Sequence, residues 1–111
     1  MAYSDTQLFI NGKWRPSQSG RTIAVLNPAT EETIGTVAHA DRADLDEALE
    51  AAAKGFKVWR EVAPFERCRI MRKAAAIMRE RNDEIAPLLT MEQGKTLAEA
   101  KVEAMAAADV I

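Results

Sequence analysis

The 111-residue sequence is poor in the side chains that most often carry chemistry. It has one cysteine, Cys68, which excludes a disulfide within the chain and a Cys-based metal cluster. The single histidine, His39, has no second imidazole with which to share a metal. Serine occurs only at Ser4, Ser17 and Ser19, none of them in a Gly-x-Ser-x-Gly elbow. The five glycines are scattered and form neither Gly-x-Gly-x-x-Gly nor a phosphate-binding loop. A formal charge of -2 gives no electrostatic reason to seek nucleic acid or anionic lipid. The arginines between Arg67 and Arg81 are diluted by Glu80 and flanked by Glu66, Asp83 and Glu84, and no aromatic residue interleaves to stack a base. No apolar run approaches the ~18 residues that a membrane-spanning helix needs. The opening Met1-Ala2-Tyr3-Ser4-Asp5 lacks the basic and then apolar build of a secretion signal. The expectation is a cytoplasmic chain with neither a nucleic-acid nor a membrane partner.

What the sequence does contain is a change of period. Leu8-Phe9-Ile10 and Lys13-Trp14-Arg15 flank Asn11-Gly12, a hairpin signal of type I′, in which both central residues take positive φ. Pro16 to Gly20 reads as a polar loop. Ile23 to Leu26 and Thr33 to Val37 read as a second strand pair around the turn Asn27-Pro28-Ala29-Thr30, where asparagine bonds its own backbone onward and proline presets φ. Two hairpins of this size leave open edges and need something to lie against.

From Asp41 the period is helical. Asp41 is placed to cap a helix, and Asp44 adds negative charge to its first turn. Leu45, Ala48, Leu49, Ala52, Phe56 and Trp59 repeat at three and four and predict one buried stripe. Gly55 weakens this helix by up to ~1 kcal/mol relative to alanine, a cost that close packing often accompanies. Pro64 opens a second helix with Phe65, Cys68, Met71, Ala74, Ala75 and Met78 on its buried side and Arg69, Arg72, Lys73, Arg79 and Glu80 toward water. Asn82 or Asp83 is expected to cap a third helix, with a kink or a frayed turn at Asp83 to Ala86 because Pro87 removes a helical bond. Gly94 marks its end in a left-handed stop. Thr96 and Glu99 then form a capping box for a fourth helix, whose apolar face is Leu97, Ala100, Ala104, Ala107, Ala108 and Ile111. That helix reaches Ile111 without a C-cap signal and reads as cut.

Nothing along this path assembles an active site. His39 is expected to be a surface or capping group, and Cys68 a buried, inert thiol with no base beside it. Glu92 and Lys95 flank the Gly94 turn, where a loose solvated ion pair is expected. Four amphipathic helices and two open-edged hairpins in so short a chain leave apolar faces to be covered, so the isolated chain is expected to be a homo-oligomer, to aggregate or to be partly molten.

Five stretches, in order, resemble the amino-terminal part of an NAD(P)-dependent aldehyde dehydrogenase. They are Leu8 to Trp14; Asn27-Pro28-Ala29-Thr30-Glu31; Ala40-Asp41 with the helix ending Gly55-Phe56-Lys57-Val58-Trp59; Pro64-Phe65-Glu66-Arg67; and Glu92-Gln93-Gly94-Lys95-Thr96-Leu97-Ala98-Glu99-Ala100. The last is most similar to the succinate-semialdehyde dehydrogenase branch. The resemblance implies an α/β fold. Residues 1–40 would be a β-hairpin arm, and residues 41–111 the helical part of an incomplete, Rossmann-like NAD(P)-binding domain. It also implies that family members oxidise an aldehyde to the acid with NAD or NADP, through a cysteine nucleophile, hydride transfer and a glutamate that activates water. Cys68 does not match that nucleophile, nor Glu92 that base. No catalytic, cofactor-binding or metal-ligating residue is therefore expected in this chain, and Glu92-Gln93-Gly94 is expected near the substrate entrance. Glu31 stands where the family usually has glycine, which predicts an altered turn or backbone strain. The alternative is a free-standing helical interaction module with a β-hairpin arm.

Overall fold

The computed structural model describes residues 3–111; the first two residues of the N-terminal stretch lie outside them. Two antiparallel hairpins precede four helices. The strands are β1 (Leu8–Ile10), β2 (Lys13–Arg15), β3 (Thr22–Leu26) and β4 (Thr33–Ala38). The helices are α1 (Arg42–Glu61), α2 (Pro64–Glu80), α3 (Asn82–Gln93) and α4 (Leu97–Val110). These elements form two compact units. One contains residues 3–26 and 33–61, the other residues 27–32 and 62–111. The first helix thus clusters with the hairpins rather than with the other three helices.

In the first unit β1 pairs with β2, with Phe9 opposite Trp14 and Ile10 opposite Lys13. Asn11 and Gly12 both have positive φ, 52° and 77°, as a type I′ turn requires. Phe9 and Trp14 pack ring to ring on the solvent side, with centroids 4.8 Å apart. Ile10 is buried on the other side, where β1 meets α1. β3 pairs with β4 through Ile23–Val37 and Ala24–Thr36, with an irregularity at Val25/Leu26. Thr6 bridges β4 on its far edge: its N–H donates to the Thr36 carbonyl and its carbonyl accepts from the Ala38 N–H, each at 2.8 Å.

Asp41 caps α1 as expected, its Oδ1 accepting from the N–H groups of Ala43 and Asp44 at 3.1 and 3.3 Å. The predicted stripe of α1 is not buried. Leu45, Leu49 and Phe56 are exposed and Trp59 is 38% exposed. The period was right, but no other part of this unit lies over that face. Gly55 likewise has open space where a side chain would stand, so close packing does not explain it in this chain.

The second unit is built on small residues. The alanines Ala100, Ala104 and Ala108 recur every fourth position on α4 and are buried where it meets α2 and α3, together with Ala75 and Ala86. Alanine lets helix axes come close. The outer side of α4 is apolar too, with Val102 and Val110 exposed. The expected apolar face of α4 is thus covered only along its alanines. Leu97, Ala107 and Ile111 are exposed.

Three expectations for α2 and α3 are corrected. Cys68 is exposed rather than buried, and Phe65 is 83% exposed. Of the apolar side expected for α2, only Ala75 is buried and Met78 half-buried. α3 runs unbroken from Asn82 to Gln93 with Pro87 inside it, so its first turn is not frayed. The Arg81 carbonyl accepts from the N–H groups of Glu84 and Ile85 and closes that turn. Arg81, not Asn82 or Asp83, is the cap residue, and no side chain caps the helix. The Asn82 Oδ1 is instead buried without a hydrogen-bond partner.

Candidate functional site

The corner between α3 and α4 is the most determined local structure in the second unit. Gly94 ends α3 at φ 80°, ψ 3°, and its N–H donates to the Thr90 carbonyl at 2.8 Å. A β-carbon at Gly94 would lie 2.9 Å from Pro28 Cγ, so the glycine is required by space as well as by φ. Pro28 belongs to the turn whose first residue, Asn27, accepts from the Ala29 N–H through Oδ1 at 2.9 Å. The Asn27 carbonyl also accepts from the N–H of Glu31 at 2.8 Å. The two motifs, distant in sequence, thus meet at Pro28 and Gly94. Glu31 adopts φ 61°, the left-handed conformation that glycine takes at no steric cost. The strain expected from glutamate at this position is present.

Beyond Gly94 the capping box is complete. Thr96 Oγ1 accepts from the Glu99 N–H at 3.3 Å, and Glu99 Oε2 accepts from the Thr96 N–H at 3.2 Å. The hydroxyl of Thr96 and its N–H together hold the Glu99 carboxyl below its ordinary pKa. Lys95 forms its ion pair with Glu103, one helical turn further along.

Next to this corner lies a groove of about 310 Å³. Met78, Ile85, Leu88 and Leu89 give it an apolar floor, and Glu92 and Glu103 stand among its lining. The groove can hold an apolar group near two carboxylates. No thiol lines it: Cys68 lies ten residues before Met78, about 15 Å along the axis of α2. His39 is in the first unit, half-buried, with Nδ1 buried and without a hydrogen-bond partner. It is not a helix cap; its backbone N–H donates to the Arg21 carbonyl and prolongs the β3–β4 ladder. Ser17 is buried and donates to the Arg21 carbonyl at 3.2 Å. Ser17 and His39 thus meet at one carbonyl within the first unit, through a hydroxyl and a backbone N–H. Among the described residues no cluster of three or more His, Cys, Asp or Glu could hold a metal ion.

Backbone N–H groups made accessible by glycine at a helix N-terminus are one ready seat for a dinucleotide's phosphates, and no turn glycine here provides it. Here Gly94 closes on Pro28, Gly35 lies against Tyr3, and Gly12 and Gly20 occupy tight turns.

The polar centre that composition and spacing did not reveal is Asp44. It is 1% exposed. Its Oδ1 accepts from Arg15 Nη1 at 2.7 Å and from the Gln18 N–H at 3.2 Å, and its Oδ2 from the Asp41 N–H at 3.1 Å. Arg15 also reaches Glu47 at 2.5 Å. Burial pushes the Asp44 carboxyl up, but the Asp41 N–H, the Arg15 guanidinium and the Gln18 N–H outweigh it and hold the pKa below the usual range. The available signal was Asp41-x-x-Asp44, a capping box with a short acid. This centre fastens loop to helix and makes no opening for a substrate.

Comparison with known proteins says to which family these elements belong. Residues 14–111 match the aldehyde dehydrogenase family. The chain belongs to the aldehyde dehydrogenase family. It is 43% identical over 109 residues to 4-(hydroxymethyl)benzenesulfonate dehydrogenase TsaD1 of Comamonas testosteroni, covering 98% of this chain and 23% of that one. It superposes on an NAD-dependent aldehyde dehydrogenase from Sinorhizobium meliloti with TM-score 0.93 and 32% identity, over 99% of this chain and 22% of that one. It superposes on a succinate-semialdehyde dehydrogenase from Burkholderia pseudomallei with TM-score 0.90 and 40% identity, over 93% of this chain and 21% of that one. The chain thus spans less than a quarter of the length of the aldehyde dehydrogenases it matches. The hairpins and helices are an N-terminal α/β segment of that fold.

Proposed function

We propose that this chain is the amino-terminal portion of an NAD(P)-dependent aldehyde dehydrogenase of the succinate-semialdehyde branch, and that alone it does not turn over an aldehyde. The observation that carries this reading is the meeting of Pro28 and Gly94, which joins two of the family-like motifs in one corner. In this reading residues 1–40 are the hairpin arm and residues 41–111 the helical part of the NAD(P)-binding domain. The nucleophile, the base and the cofactor contacts come from other sequence. This chain's own residues act by position. Gly94 and the Thr96–Glu99 box fix where α4 starts, and with it the wall of the Leu88–Leu89 groove beside the aldehyde's approach. The branch assignment is supported by Glu92 to Ala100 and by the 40% identity to the Burkholderia pseudomallei protein. The enzyme is read as cytoplasmic and oligomeric. No helix among the described residues is long and apolar enough to cross a membrane.

The test is a chimera in which this chain replaces the matching segment of the Burkholderia pseudomallei enzyme. Succinate semialdehyde and an aromatic aldehyde are supplied with NAD and then with NADP. The expected result is NAD(P)H formation, fastest with succinate semialdehyde. A folded chimera without turnover overturns the family role, and one that prefers the aromatic aldehyde overturns the branch. The free-standing module is the less favoured reading, since the family match runs over residues 14–111.

A further inference from the structure

The β3–β4 sheet has one closed edge and one open edge. In an antiparallel ladder the backbone groups of successive residues point alternately toward the partner strand and away from it. The Arg21 carbonyl accepts from the His39 N–H at 2.9 Å, which places Arg21, and with it Ile23 and Val25, in the set that faces β4. Thr22 and Ala24 face away. On β4 the outward edge is occupied by the N-terminal segment: the Thr36 carbonyl and the Ala38 N–H bond to Thr6, and the Thr36 N–H donates to Asp5 Oδ1 at 2.7 Å. On β3 they have no partner among the described residues. The strand reads Thr-Ile-Ala-Val-Leu, without a charge, a proline or a glycine. It lacks the devices by which edge strands commonly repel another strand. Ile23 and Leu26 are about half exposed on it.

We propose that the open edge of β3, through the outward backbone groups of Thr22 and Ala24, pairs antiparallel with β3 of a second copy of this chain. Three features select that occupant. An uncharged strand does not repel its own copy. One open edge per sheet lets pairing close about a two-fold axis and stops a filament, which would need two. The product, β4–β3–β3–β4, turns two isolated two-stranded sheets, marginal by themselves, into one of four strands. With Thr22 opposite Ala24 of the other copy, four backbone hydrogen bonds form, and the two Ile23 side chains lie directly across from each other. Five-residue strands bury far less than the roughly 1,200–2,000 Å² of a permanent interface, so the pairing is weak and depends on concentration. It stands independently of the proposed activity.

The experiment is amide hydrogen exchange and sedimentation of the unmodified chain over a wide concentration range, with Ala24→Pro beside it. Ala24→Pro removes an outward N–H and no bond to β4, and proline is tolerated on edge strands. The expected mass rises from 12.2 kDa toward twice that value. The Thr22 and Ala24 amides become protected as it rises, while those of Ile23 and Val25 do not change, and Ala24→Pro weakens association at least tenfold. A chain that stays monomeric overturns the proposal. So does an associated form in which the Thr22 and Ala24 amides still exchange freely, the result expected if the exposed α1 stripe carries the contact instead. The exchange reading uses no variant, so it decides the matter even if Ala24→Pro fails to fold.

Discussion

Among residues 3–26 and 33–61 the largest fully buried side chain is a carboxylate, Asp44, whereas among residues 27–32 and 62–111 the buried apolar side chains are all alanine. The first unit is fastened at a point. Asp44 gathers Arg15, the Gln18 N–H and the Asp41 N–H, and the apolar stripe of α1 contributes little because it stays in water. The second unit is fastened along a line, where alanines at every fourth residue let α4 settle onto α2 and α3. Each buried methyl contributes only about 0.8 kcal/mol, but the contact repeats over two turns. A point fastening is sensitive to one residue and to pH. A line fastening is sensitive to volume.

The largest effect is expected from removing the point. Asp44→Ala is expected to abolish amide protection in β1, β2 and the first turn of α1 while leaving α3 and α4 protected, as read by hydrogen exchange. Equal loss in both units would break the contrast. The pH dependence sharpens it. The folded pKa of Asp44 lies below the ordinary value of 3.8, so its stabilisation is fully present above that value and is lost as pH falls through the lower folded one. Acid titration should therefore release Arg15 and the hairpin first, and Asp44→Asn should flatten that response.

Next in size is volume on the line. Ala104→Leu inserts bulk where α4 is closest to its neighbours and is expected to cost about 1–3 kcal/mol, measured by denaturant unfolding followed in the second unit. A smaller effect, of opposite sign, is expected at the turn. Glu31→Gly relieves a left-handed glutamate and should stabilise by about 1 kcal/mol, visible as a higher thermal midpoint. The smallest is Gly55→Ala. The new methyl meets nothing within 4 Å, so helix propensity alone should stabilise α1 by about 0.5–1 kcal/mol, read as slower amide exchange in its centre.

What the sequence made legible follows the range of the physics involved. Asn11-Gly12, Asp41, Gly94 and the Thr96–Glu99 box are local devices, each satisfied by neighbours within a few residues, and each forms as read. The strain at Glu31 was also readable, because a β-carbon at positive φ is penalised wherever it occurs. Burial was not readable. Cys68, Phe65, Leu45 and Leu49 lie on correctly placed apolar sides, but periodicity tells which side is apolar and not whether anything covers it. Asp44 failed in the other direction: a charged residue in a first helical turn reads as surface, and its burial depends on Arg15 and the Gln18 N–H, both more than twenty-five residues earlier, beside the local Asp41 N–H. At Pro87 the frayed first turn does not form, since the Arg81 carbonyl closes that turn of α3 upstream of it. For the candidate site, the corner was legible and the groove beside it was not, because Met78, Leu88 and Ala104 come together only through helix packing.

We propose that these residues are the scaffold of an oxidoreductase and hold none of its reacting groups. The direct measurement is NAD(P)H formation by the purified 111-residue chain, supplied with succinate semialdehyde and either cofactor. The account predicts a rate indistinguishable from the blank without protein. Turnover above that blank, lost on Cys68→Ala, would contradict it.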